Sequence, residues 1–119
     1  MAALQTVKIK PGTTPVLTVI VDGEAIQDAK VYVTIAQKDR RITKNTDTNR
    51  GDIALSPVNV GTEQVGTQIL VWYSQAETLF LRTGYASVEV GWIADDDSAS
   101  KTNIGRLKIP RTLYREVMA

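Results

Sequence analysis

Three short runs hold the residues that could do chemistry. In "DDDSAS", Asp95, Asp96 and Asp97 line up three carboxylates, the hard oxygen donors that Ca²⁺ takes. A calcium loop alternates its ligands, turns on a glycine at the sixth position and closes with a glutamate at the twelfth. Here the carboxylates are adjacent and the sixth residue is Ser100, so the run reads as a polar hairpin turn ahead of a metal site. The tripeptide Arg50-Gly51-Asp52 matches an adhesion motif, yet the same residues are what a solvated turn contains. "KDRRITK" gathers Lys38, Arg40, Arg41 and Lys44. With no aromatic interleaved for base stacking, it reads as a charged sheet edge that resists strand addition, ahead of a phosphate or nucleic-acid contact.

Missing residue types narrow the chemistry further. The 119 residues include no histidine and no cysteine, which removes the usual general base, the histidine-dependent nucleophile pairs, thiolate chemistry and disulfides. An enzyme would be left with paired carboxylates or a Ser-Lys pair, and no spacing supports either; no catalytic residue, metal or cofactor is expected. Fourteen basic residues stand against 13 acidic ones, a net charge of +1, without the clustered basic face of a nucleic-acid binder. "MAALQTVKIK" has no charged stretch leading into an apolar one, and no apolar run approaches the roughly 18 residues of a membrane span. Neither secretion nor a membrane partner is expected.

These residues must be positioned by strands, because apolar residues recur with period two along the chain. Leu17, Val19 and Val21 share one face of "VLTVIV"; Val31, Val33 and Ile35 share one face of "VYVTI". "ASVEVGW" sets Ala86, Val88, Val90 and Trp92 inward. "QILVWY" is apolar on both faces, as for a central strand covered on both sides. Weaker candidates lie at 5–9, 41–44 and 52–56, and "TNRGDIALSPVNVGTEQVG" otherwise reads as a long loop. In "NIGRLKI", Ile104 is out of phase with Leu107 and Ile109, and a one-residue bulge at Gly105 restores the phase. Seven or eight short strands with turns every 8 to 12 residues predict one antiparallel β-sandwich of immunoglobulin type over residues 1–119. Its core is expected to hold Val19, Val33, Val71, Val88, Val90 and Trp92. Trp72 is also read as core, with one of the Trp72 and Tyr73 pair left to face a partner.

Between "QILVWY" and "GYASVEVGWI" stands "SQAETLFLRTG". Ser74 followed three residues later by Glu77 is a capping box, predicting a short helix within 74–83 that crosses from one sheet to the other. Ala76, Leu79 and Phe80 would share a face that plugs the open end of the sandwich, and Gly84 would supply the left-handed cap.

In order, "IKPGTTPVLTVIVDG", "DAKVYVTIAQ", "SQAETLFL", "GYASVEVGWI" and "TNIGRLKI" resemble the small Ig-like virion proteins of tailed bacteriophages and prophages of Gram-positive bacteria. They are also similar to the N-terminal domain of phage upper baseplate proteins. The resemblance covers roughly residues 6–110. It implies a non-enzymatic virion structural protein, tail, baseplate or capsid-associated, whose partners are copies of itself and other virion proteins. A carbohydrate-binding or adhesion module, with a surface glycan as ligand, is the alternative. Residues 1–5 and 111–119 read as assembly arms. In "PRTLYREVMA", Leu113 and Val117 are four apart, as are Tyr114 and Met118, and these four are the expected subunit contacts.

Overall fold

The computed structural model of the chain describes residues 2–6, 8–21, 29–48, 51–60, 64–93 and 99–113. Where the sequence alternates, the backbone is extended and the apolar set points one way. The burial of Val16–Val21 (β2) and Lys30–Ala36 (β3) alternates residue by residue, with Leu17, Val19, Val21, Val31, Val33 and Ile35 all buried. The remaining strands are Ala2–Leu4 (β1), Arg41–Asn45 (β4), Ile53–Val60 (β5), Gln64–Trp72 (β6), Gly84–Ile93 (β7) and Ala99–Ile109 (β8). One helix, Gln75–Phe80 (α1), lies between β6 and β7.

The strands form two antiparallel four-stranded sheets, ordered β1-β2-β6-β5 and β4-β3-β7-β8. In immunoglobulin lettering these are A-B-E-D and C′-C-F-G, so β4 is the added strand of the variable-type second sheet. The inner faces of the two sheets meet in one core, in which Val19, Val33, Val71, Val88 and Val90 are fully buried. Trp92 is half-buried and packs against the rim of that core. It stands near the end of β7, opposite Val31 and Ser100, where less of the sandwich remains to cover it.

Several expectations change. Residues 2–4 pair with Val19–Val21, so this part of the segment read as an N-terminal arm forms the edge strand of the first sheet. The described residues of 5–9 form no strand; Lys8 makes a single parallel bridge to Lys108, and Ile9 is buried beside it. The stretch read as a long loop is a hairpin, Ile53–Val60 against Gln64–Trp72. Pro57 sits in β5 without breaking the sheet because β5 is an edge, where a missing N–H faces no partner strand. Gly105 does mark a bulge. Val88 pairs with Gly105 and Glu89 with Asn103, so Ile104 is the extra residue and joins Leu107 and Ile109 against the core. Gly105 has a φ of 141°, a value that a side chain rarely permits.

The helix forms as its capping box requires but faces a different way. Ser74 Oγ accepts from Glu77 N–H at 3.2 Å and Glu77 Oε1 accepts from Ser74 N–H at 2.9 Å. Thr78 is its buried residue, while Ala76 and Phe80 are exposed. The Thr78 hydroxyl donates to the Thr13 carbonyl at 2.9 Å and accepts from Gly12 N–H at 2.9 Å. This polar clamp fixes the helix rotation, and Leu81, extended just beyond the helix and fully buried, becomes the plug. Leu81 is also the cap residue; Gly84, with φ 131°, opens β7 instead.

Candidate functional site: the helix end of the sandwich

Two features stand out where β4, β5 and α1 close the side of the sandwich. Lys44 lies on the same face of β4 as Ile42, and both turn inward: Lys44 pairs with Val33 across the strands and is only 4% exposed. Its ammonium meets Asp52 Oδ2 at 2.9 Å and Glu77 Oε2 at 2.7 Å, and lies 5.5 Å from the centre of the Tyr73 ring. Burial alone would lower the Lys44 pKa, but the hydrogen bonds that the ammonium donates to Glu77 and Asp52 outweigh it and hold the amine above its ordinary 10.5. Burial pushes Glu77 up, and Lys44 together with the Ser74 N–H pulls it below its ordinary 4.5. Tyr73 is raised above its ordinary range by burial and by the Glu77 charge. Its hydroxyl has no hydrogen-bond partner among the described residues.

This cluster ties three elements with one cation. Chemically it is inert, because a lysine held protonated is neither nucleophile nor base at neutral pH. Expected as part of an exposed charged edge, Lys44 is instead an internal ion-pair partner. Its parity with Ile42 was the signal; its charge obscured it. β4 is an edge strand nonetheless, and Lys38 and Arg41 are exposed.

The second feature is the end where β2 and β7 begin and β6 and β8 finish. Val16, Trp72, Phe80, Tyr85 and Leu113 are the exposed large apolar residues among those described, from 39% to 92% exposed; the first four stand at this end of their elements, and Leu113 follows the end of β8. Val16 and Trp72 are direct cross-strand partners on the outer face of the first sheet, with half-buried Leu70 further along it. Trp72 is therefore not core: among the described residues no layer covers this face, and Tyr73 takes the buried place. Arg106 stacks over Tyr85 with its guanidinium 4.8 Å from the ring centre.

Around the helix terminus, a shallow depression of about 920 Å³ is lined by Arg40, Arg82, Arg111, Leu79, Thr83, Thr112 and Leu113. Its walls are fixed by the β3–β4 turn. Gln37 Nε2 donates to the Arg82 carbonyl at 2.7 Å and Gln37 Oε1 accepts from Arg82 N–H at 2.8 Å. Arg82 pairs with Asp39 at 2.9 Å. Arg40 donates to the Phe80 carbonyl and stacks 5.0 Å over its ring. Arg111 is exposed and has no ion-pair partner among the described residues. Arg82 and Arg111 went unmarked in the sequence because they belong to no charge run.

Of the sequence candidates, Leu113 is 92% exposed at the rim of this depression; Tyr114, Val117 and Met118 lie outside the described residues. Asp95, Asp96 and Asp97 also lie outside them, as does Arg50, and the carboxylate of Asp52 is engaged by Lys44. No group of metal-binding side chains occurs among the described residues.

On the outer face of the second sheet, a trough of about 420 Å³ crosses all four strands, with Tyr32, Thr34, Thr43, Glu89 and Lys101 among the residues around Gly91. A Cβ at Gly91 would press on the Ser100 carbonyl at 3.3 Å and lie in contact with Tyr32 at 3.6 Å. No helix among the described residues is long and apolar enough to cross a membrane. No protein-family model matches the chain, and no curated protein matches it.

Proposed function

We propose that the chain is a non-enzymatic virion structural protein of a tailed bacteriophage or prophage, tail-, baseplate- or capsid-associated, assembled in several copies through protein–protein contacts. The sequence resemblance suggests the setting, and one structural observation supports the mode of action. The five exposed large apolar side chains are sorted to one end of the sandwich and flanked there by arginines. Arginine and aromatic residues are the side chains that protein interfaces favour, and such sorting is unlike the scattered single apolar residues of an ordinary surface. Partners on this reading are copies of the chain and other virion proteins, and its location is the particle assembled in the host cytoplasm.

Quantitative mass spectrometry of particles purified from the encoding phage or lysogen tests the reading. The expected result is several copies per particle. Absence from particles, with the protein abundant in the lysate, overturns it.

A surface glycan-binding module is the second reading, favoured by the Tyr32 trough, where an aromatic flank, a carboxylate and hydroxyls surround a glycine floor. The Thr34 and Thr43 hydroxyls already bond each other at 2.9 Å, which leaves fewer groups to grip a sugar.

A further inference from the structure

We propose that the uncovered outer face of the first sheet seats the same face of a second copy, so that copies join as two-fold pairs. The inference rests on the multi-copy reading above and deepens it by naming a surface through which copies meet. A division of charge between the sheets carries it. In a chain that is 23% charged, none of the four strands of the first sheet contains a lysine, arginine, aspartate or glutamate. The second sheet, by contrast, turns Lys30, Arg41, Glu89, Lys101, Arg106 and Lys108 away from the core. An antiparallel sheet with one face in water is ordinarily polar on that face. The second sheet follows that pattern and the first departs from it.

Val16, Ile20, Leu70 and Trp72 fall on the outer side of β2 and β6, out of phase with the buried Leu17 and Val71. Val16 and Trp72 are each 39% exposed, and Ile20 and Leu70 are half-buried. A contiguous apolar patch of this kind marks a contact surface, and tryptophan is among the residues that most often anchor one. The absence of charge points to the occupant. Nucleic acid binds through cations, and a charged protein surface would lose hydration here without gaining a counter-charge. A second copy brings a face as neutral as the first, so no like charges meet and no charge is stranded. Lengthening the sheet through its edges is the poorer route, because Pro57 takes a ladder donor from β5 and β1 has only 3 residues. Four strands about 4.8 Å apart, each rising about 3.4 Å per residue over the 6 residues of β2, give a face of roughly 400 Å² per copy. The pair therefore belongs at the small end of protein interfaces, and its association is read at high protein concentration. Contact between identical faces closes on two copies, which leaves the helix-end depression for contacts between pairs.

The test uses the full chain in sedimentation velocity over a concentration series. Trp72→Lys should lower the self-association constant by at least about tenfold, with thermal unfolding checked to show that it folds. Ala54→Lys, at an exposed position of β5 opposite Leu70, should weaken the pair in the same direction while removing no buried side chain. Glu89→Lys, on the outer face of the other sheet, changes the net charge by more than either and should leave the pair intact. Wild-type association should also hold as salt shortens the screening length from about 10 Å at 0.1 M to about 3 Å at 1 M, because no ion pair sustains it. Pairs that persist unchanged in both first-sheet variants, that Glu89→Lys disrupts as strongly, or that come apart in 1 M salt overturn the contact and leave the virion reading standing. A wild-type chain that stays monomeric overturns the contact as well, whereas absence from purified particles is the separate failure of the virion reading.

Discussion

Lys44 shows how one side chain can be read correctly in chemistry and wrongly in place. Its alternation with Ile42 puts it inward, and there two carboxylates and an aromatic face accept its charge. A lysine so enclosed is tolerable only when paired, since an isolated buried ammonium would lose its proton. Glu77 has a second task in the helix cap, so its ionised form is held from two directions. Because its folded pKa is depressed, Glu77 contributes stability at pH values above its ordinary 4.5, and that contribution is lost as pH falls through its lower folded value. Urea midpoints should therefore decline as pH drops below 4.5. Glu77→Gln should lower stability by about 1 kcal/mol at pH 7 and flatten the acid decline, the carboxylates being partly hydrated and the pair worth less than a fully buried one. An unchanged acid limb in Glu77→Gln would show that other carboxylates carry the pH dependence.

At the scale of elements, the six-residue helix is too short to persist unaided, so its docking decides whether it exists. That docking is largely one hydroxyl. Thr78 bonds Gly12 and Thr13 across 66 and 65 residues of sequence, and Thr78→Val keeps the volume while stranding a buried N–H. The expected loss is about 1–3 kcal/mol, read as a drop in thermal midpoint, with Ser74→Ala costing about 1 kcal/mol beside it. If Thr78→Val unfolds like the wild type, the clamp does not hold the helix. The capping box was legible because both its residues are local; the helix rotation was not, because the turn that sets it lies far away in sequence. For the same reason β2, β3 and β7 could be read from alternation and both flanks of the core assigned. β5 could not, since Pro57 interrupts the strand pattern and, among the described residues, this edge strand has β6 alone as its partner. Trp72 misled because hydrophobicity alone does not say which face of a sheet has a second layer over it. The arginine depression was invisible for a related reason: Arg40, Arg82 and Arg111 come from three separated connections that only the fold brings together.

For the whole molecule, the last strand among the described residues, β8, ends at Ile109, which is buried against the core, and no strand pairing includes residues 111–113. Among the described residues, removing 111–119 takes away only 111–113, and with them no ladder hydrogen bond and no member of the core cluster. It does remove Arg111 and Leu113 from the depression at the helix end. The truncated chain should consequently unfold within a few degrees of the full-length midpoint, because surface losses away from the core change stability by about 0.5 kcal/mol or less. Its self-association should fall sharply in the same buffer. These two readouts separate the alternatives. A large fall in the unfolding midpoint would mean that the C-terminal segment packs on its own domain, and normal assembly by the truncated chain would mean that the contacts between copies lie elsewhere, with the exposed Val16 and Trp72 face as the next surface to alter.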